Sequence, residues 1–353
     1  MERRAAAAED EEGKRRSLYC FDRNSGEQLW VRTVTIDRAM PTHGTNPYGG
    51  STPAADGQHV VVWHASAGLH CYDFSGEKLW HRDLGEFSHV WGYGTSPVLY
   101  DGKVILHTGP GQRSFVTALD LRDGATIWQV DEAPPPAVEE ANRTLHGSWC
   151  TPLIATIGEG PQIICTHPTR VVAYDPDDGR ALWWCEGVSC KRGDLAYSSP
   201  LVAGDVCLVR GGYEGPEIGI RLGGAGDVTQ THRLWRHPNR PSNVGSGVVV
   251  GDYAYVPDIN GIVACVNVVT GERVWGARLD KGQLWGSLVY AAGHLYAMNQ
   301  RGTTVVFKPD PKQLTVVAVN PLNERTNTTP AISDDEIFLR THEHLYCIGE
   351  GNK

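Results

Sequence analysis

Three short segments of the chain set a histidine beside aromatic residues. They read His43-Gly44-Thr45-Asn46-Pro47-Tyr48, His89-Val90-Trp91-Gly92-Tyr93 and His146-Gly147-Ser148-Trp149. Such residues serve three purposes. They pack and hydrogen-bond where elements meet, which ranks first. Aromatic faces hold a sugar, a peptide or a planar ligand, which ranks second. Neutral imidazoles ligate a metal if His43, His89 and His146 converge, which ranks last. Later stretches offer Tyr197, Asn243, Trp285 and Asn327 at comparable places.

The elements that must position these residues are written in a repeat. Gly68–Leu84 reads GLHCYDFSGEKLWHRDL: Leu69, Cys71 and Asp73 alternate with His70 and Tyr72, Ser75-Gly76 makes a turn, and a second strand ends on Trp80. The same phrase is LYCFDRNSGEQLW from Leu18, VTALDLRDGATIW from Val116, VVAYDPDDGRALW from Val171 and VACVNVVTGERVW from Val263. Asp precedes Trp by eight residues in Asp22/Trp30, Asp120/Trp128 and Asp175/Trp183, and by seven in Asp73/Trp80; Asn267 takes its place before Trp275. Around Gly219–Trp235 a Gly-rich insertion interrupts the phrase, and in Val305–Val317 Lys308 and Val316 replace Asp and Trp. Between hairpins lies a second phrase of small polar residues, Pro and an apolar strand, as in TSPVLYDGKVIL from Thr95 and SSPLVAGDVCLV from Ser198.

Each unit is therefore four short strands, and the Trp-to-Trp spacing runs from 40 to 55 residues. That period predicts an all-β propeller of four-stranded antiparallel blades, because a lone sheet leaves both faces unburied and must stack on copies of itself. Eight blade positions are expected, the first and last incomplete, with seven-bladed closure as the alternative. The Trp of each unit plugs the gap to a neighbour, and the Asp caps its turn. Residues 1–16 are expected as a disordered charged tail, 17–349 as one propeller domain and 350–353 as a C-terminal tail.

Other chemistry is sparse. Of nine cysteines, Cys20, Cys71, Cys265 and Cys347 occupy one repeat position and Cys150 replaces a Ser or Thr, so these five read as small buried fillers; Cys185 and Cys190 are the only plausible local disulfide pair. Asp175–Asp178 lies on an ordinary hairpin turn, and His342-Glu343-His344 on a turn between strands. There is no G-x-S-x-G, HExxH or CxxC motif. A net charge of −9 argues against a nucleic-acid surface, and no run of 18 or more apolar residues exists to span a membrane.

The hairpins LYCFDRNSGEQLW and VVAYDPDDGRALW resemble the pyrroloquinoline-quinone (PQQ) type propeller repeat, an Ala/Cys-x-Asp-x-x-x-Gly-x-x-x-Trp phrase. The resemblance covers about Ser17–Gly349. It is nearest to PQQ-like propeller proteins of unknown function in planctomycete-type bacteria, relatives of the propeller lipoprotein of the outer-membrane assembly machine; GDYAYVPDINGIVACVNVVTGERVW and PAISDDEIFLRTHEHLYCIG carry that likeness. PQQ dehydrogenases of this fold use adjacent cysteines, a Ca²⁺ held by carboxylate and amide, and an Asp base. No Cys-Cys pair and no such ligand set occurs here, so neither PQQ nor Ca²⁺ is expected.

The expected function is a non-catalytic binding or scaffold module, a monomer, for a protein partner or a small ligand such as a glycan. The alternatives are an enzyme or carbohydrate binder using the rim residues, and strand addition at a blade edge during outer-membrane assembly. Resemblance implies an exported protein. The chain as written carries no signal peptide, from which an N-terminal truncation, with strands missing ahead of Met1, is expected.

Overall fold

The computed structural model describes residues 3–9, 13–37, 39–46, 49–111, 113–132, 146–158, 160–190 and 193–350. They are all-β apart from one 3-10 turn at Ala65–Ala67. The chain divides into two compact units, Met1–His167 with Val172–Leu182, and Pro168–Val171 with Trp183–Lys353.

In the first unit, Ala54–Ala55, His59–Trp63, Leu69–Asp73 and Lys78–Arg82 form one antiparallel sheet from inner to outer edge. The second and third strands are buried along nearly their whole length, so both faces are covered and HVVVW reads as a continuous apolar run. The outer strand KLWHR buries only Trp80. Val98–Tyr100, Lys103–His107, Phe115–Asp120 and Thr126–Asp131 repeat this order, and Leu153–Ile157 pairs with Gly160–Thr166 as the next inner pair. In the second unit, sheets starting at Leu201, Val248 and Val289 have four strands, and one starting at Ala331 has three. Among the described residues, seven blades thus carry the inner strand pair. Type I′ geometry closes several of these pairs, with φ of 47° and 69° at Asp101-Gly102 and 47° and 74° at Ala292-Gly293.

The count is therefore the seven-bladed alternative, and the N-terminal sheet, of three strands, stands outside it. Arg15–Asp22 and Gln28–Thr35 are its hairpin, and Arg3–Glu9 pairs antiparallel with the first of these, from Arg3↔Asp22 to Glu9↔Arg16. Composition marks 1–16 as a tail; the structure instead places most of it in strands. Arg15–Asp22 lacks an inner partner from the repeat, and backbone donors and acceptors along its edge accept any extended segment, whatever its charge.

The repeat's Trp does more than fill space. Trp30 Nε1 donates to the Phe74 carbonyl at 3.2 Å, Trp80 to Leu121 at 2.8 Å and Trp128 to Pro176 at 3.0 Å. In the second unit Trp235 donates to Val268 and Trp275 to Asp310, both at 3.0 Å. In the first four the acceptor directly follows the turn residue Asp73, Asp120, Asp175 or Asn267. The indole lies on the Gly of that same turn: a Cβ on Gly76, Gly124 or Gly179 would stand 2.5–2.8 Å from Trp30, Trp80 or Trp128, and one on Gly271 would collide with Trp235. Within its own hairpin each Trp faces a small residue, in the pairs Cys20↔Trp30, Cys71↔Trp80, Ala118↔Trp128, Gly219↔Trp235 and Cys265↔Trp275, and a bulge follows directly.

Asp22 Oδ1 accepts the N–H groups of Asn24 and Ser25, Asp73 Oδ1 those of Ser75 and Glu77, and Asn267 Oδ1 those of Val269 and Thr270. These are side-chain-capped turns. Hydrogen bonding from Arg122 holds the Asp120 carboxyl down at about 2. Asp175 Oδ1 accepts the Asp177 N–H at 2.9 Å, so the DPDD run is a turn capped like the others.

The insertion of the fifth repeat has a structural use. Gly226–Asp227 forms a short strand parallel to Ala181–Glu186, in register Trp183↔Gly226 and Trp184↔Asp227, and Val228 N donates to the Trp184 carbonyl at 2.9 Å. Trp183 is fully buried.

No disulfide joins any two cysteines among the described residues. The Cys185–Cys190 bridge does not form: Cys185 is buried, while Cys190 Sγ contacts the carbonyls of Gly193, Gly212 and Tyr213. Cys347 corrects the filler reading. It is exposed, because its strand, Leu345–Ile348, has no Trp-bearing partner among the described residues.

Candidate functional site

In the first unit, three of the expected aromatic and imidazole residues meet. His89 and Trp91 ring centroids lie 5.6 Å apart, His89 and Trp149 4.9 Å at an edge-on 86°, and Trp91 and Trp149 5.9 Å at 38°. The loop is held by its own backbone. Gly92 N donates to the His89 carbonyl at 2.9 Å, and Gly92 adopts φ of +68°, which its lack of a Cβ permits. Trp91 N donates to His89 Nδ1 at 3.1 Å, which puts the imidazole proton on Nε2. Two neighbours clamp it: Asn46 Nδ2 reaches the Trp91 and Tyr93 carbonyls at 2.6 and 3.2 Å, and Trp149 Nε1 reaches the Gly92 carbonyl at 3.2 Å. Burial, with His146 adding, lowers the His89 pKa to about 4, so the ring is neutral near pH 7. At the apex, Val90 is 61% exposed.

The remaining candidates are not equivalent. Trp149, Tyr197, Trp285 and Asn327 share one register position, two residues before Thr151, Ser199, Ser287 and Thr329, and are partly exposed. Tyr93 and Asn243 stand one residue further back and are buried. The Asn243 amide has no hydrogen-bond partner among the described residues. In the second unit Tyr197 packs edge-on against Tyr213 at 6.2 Å, Trp285 Nε1 donates to Gln283 Oε1 at 3.3 Å, and Gln300 Nε2 donates to Asn327 Oδ1 at 2.6 Å. His43 is exposed and bonds locally to Thr45 Oγ1 at 2.8 Å, away from any imidazole cluster. Tyr48 lies outside the described residues. Among those residues the one His/Cys/Asp/Glu group with ligand atoms in mutual reach is Glu324, Glu343 and His344. That turn is built around Glu324, which accepts from Thr341 Oγ1 at 2.6 Å and from Tyr346 Oη.

Sequence reasoning missed what supports the loops. In the second phrase, the residue before Pro, or its equivalent, accepts the backbone N–H of its counterpart in the previous repeat. In the first unit Thr52 N donates to Ser96 Oγ and Ser96 N to Thr151 Oγ1; in the second, Ser199 N donates to Ser246 Oγ, Ser246 N to Ser287 Oγ and Ser287 N to Thr329 Oγ1, all at 2.8–3.2 Å. The signal was the recurring hydroxyl, read only as a strand preface. Two buried polar networks were missed as well. His167 Nε2 lies 2.9 Å from Tyr174 Oη, which donates to Glu132. Glu217 sits between Arg210 and Arg240, at 3.2 and 3.3 Å. Both pair buried groups, His167, Arg210 and Glu217, with partners at or just beyond the ends of strands.

The profile of the family described as outer membrane protein assembly factor BamB matches residues 14–277. The chain belongs to this family. It is similar to the outer membrane protein assembly factor BamB of Burkholderia pseudomallei, 24% identical over 195 residues, covering 55% of this chain and 46% of that protein. It is also similar to subunit 1 of the methanol dehydrogenase [cytochrome c] of Methylobacterium organophilum, 31% identical over 157 residues, covering 41% of this chain and 23% of that one. The chain thus spans about a quarter to a half of these curated relatives. The crystal structure of BamB from Moraxella catarrhalis superposes with a TM-score of 0.67 at 15% identity, covering 98% of both chains. The fold is therefore an all-β propeller. Among the described residues no helix is long and apolar enough to cross a membrane.

Proposed function

We propose that this member of the BamB family is a non-catalytic binding module that holds a protein partner of the cell envelope through the 88–93 loop. The observation that carries this is the His89–Trp91–Trp149 cluster with Val90 exposed at its apex. Aromatic residues backed by a rigid scaffold and tipped by an apolar side chain are the composition of an interface hot spot. Membership beside an outer membrane protein assembly factor supports an extracytoplasmic, protein-bound role. The relatedness to methanol dehydrogenase does not carry its chemistry across, because no two of the nine cysteines are adjacent and the repeats carry no Glu/Asn/Asp set in register to hold Ca²⁺. On this reading the protein uses neither PQQ nor Ca²⁺.

The test is affinity retention from an envelope fraction. Wild-type protein retains a discrete envelope partner, and a Val90→Asp, Trp91→Ala variant with unchanged circular dichroism loses it. Equal retention by both, or none by either, contradicts the proposal. The tilted Trp91 and Trp149 rings also form a wedge for a sugar face, which favours a glycan as the second reading. A glycan bound by wild type and lost in Trp149→Ala, with no envelope protein retained, would replace the first.

A further inference from the structure

The hairpins of the chain are sockets, and one of them is open. Gly76, Gly124, Gly179 and Gly271 have φ of +81°, +71°, +73° and +73°, and each is covered by the indole of the preceding repeat's Trp. Gly26 has the same conformation, φ +72°, in the same Asp-x-x-x-Gly turn capped by Asp22. Yet among the described residues nothing lies within 4 Å of where its Cβ would stand, and Asn24 to Gln28 are all exposed.

Four filled copies define what this turn accepts. An indole stacks on the Gly and donates Nε1–H to the carbonyl after the turn's Asp or Asn; in register here that carbonyl belongs to Arg23. Two residues beyond the Trp, a side-chain nitrogen joins in three of the four copies: Arg32 Nε donates to the Gly76 carbonyl at 2.5 Å, Arg82 Nη1 to Gly124 at 3.0 Å, and His237 Nε2 lies 2.9 Å from the Gly271 carbonyl. The occupant is an extended strand that carries a Trp, followed two residues on by Arg in two of the four copies and by His in a third.

We infer that the Asp22–Gly26 turn binds a tryptophan-bearing extended segment of a separate polypeptide, which lies beside the N-terminal sheet as an outer strand lies beside the next blade. A second copy of this chain is a poor occupant: the outer-strand tryptophans Trp30, Trp80, Trp128, Trp235 and Trp275 already donate to carbonyls of their own chain, and Trp183 is fully buried. The surface is separate from the 88–93 loop, so it stands or falls independently of the proposed function.

The probe is a dye-labelled peptide with the sequence of residues 76–84, GEKLWHRDL, followed by fluorescence anisotropy against the full chain. Binding is expected to weaken at least tenfold for a Gly26→Asn protein, since Asn tolerates the left-handed conformation while its side chain covers the stacking face. It is also expected to vanish for a peptide with Ala at the Trp position, and to weaken severalfold with Ala at the Arg position. The peptide changes leave the protein's folding untouched. No binding at millimolar peptide, or equal binding by wild type and Gly26→Asn, would overturn the inference. So would concentration-dependent dimerisation abolished by Gly26→Asn, which would make a second copy the occupant.

Discussion

At the scale of single residues, each repeat depends on an indole, a glycine and a small cross-strand neighbour. Trp80 is only 7% exposed and donates a hydrogen bond to the Leu121 carbonyl. Trp80→Ala is expected to cost about 3–5 kcal/mol, read from urea unfolding. The glycines separate two effects that a sequence cannot. Gly26→Ala meets only left-handed strain, about 1 kcal/mol, whereas Gly76→Ala adds a collision with Trp30 and is expected to cost clearly more. Equal losses would deny the stacking. The cysteines follow from their neighbours: burial raises the Cys71 thiol to about 12 and the Cys265 thiol to about 11, so both are inert, while exposed Cys347 is expected to react first with a thiol reagent.

At the scale of elements, the hairpin was legible in the sequence because Asp, Gly and Trp recur at fixed spacing and each answers to a local rule. The strand at Arg3–Glu9 was not, since composition reports side chains and this pairing is made by backbone. The site was half legible. His89, Trp91 and Trp149 converge because their loops follow the same strand in successive repeats, while His43 turns back on Thr45 and Asn243 is buried; no spacing tells a half-exposed position from a buried one beside it. The hydroxyl relay under these loops carries its own prediction. Ser246→Ala strands the Ser199 N–H and is expected to cost about 1–3 kcal/mol, with Ser246→Thr restoring most of it, in denaturant melts.

At the scale of the whole molecule, buried neutral histidines set the response to acid. Burial lowers His64 and His107 to about 3 and His70 to about 4, below the usual 6.5. Between those values the unfolded chain takes up protons that the folded chain refuses, so stability is full above pH 6.5 and falls as pH drops toward 4. The melting temperature is expected to decline steadily from pH 6.5 to 4.5, above the range where Asp120 and Glu324, both held at about 2, begin to matter. A flat profile there would mean that these rings are solvated. On the proposed reading, recognition rests on the exposed Val90 and the partly exposed Trp91 and Trp149 beside it. Hydrogen–deuterium exchange with and without the envelope partner tests that most directly. Protection concentrated in residues 88–93 and 146–149 is the predicted footprint, and protection that spares both segments would contradict it.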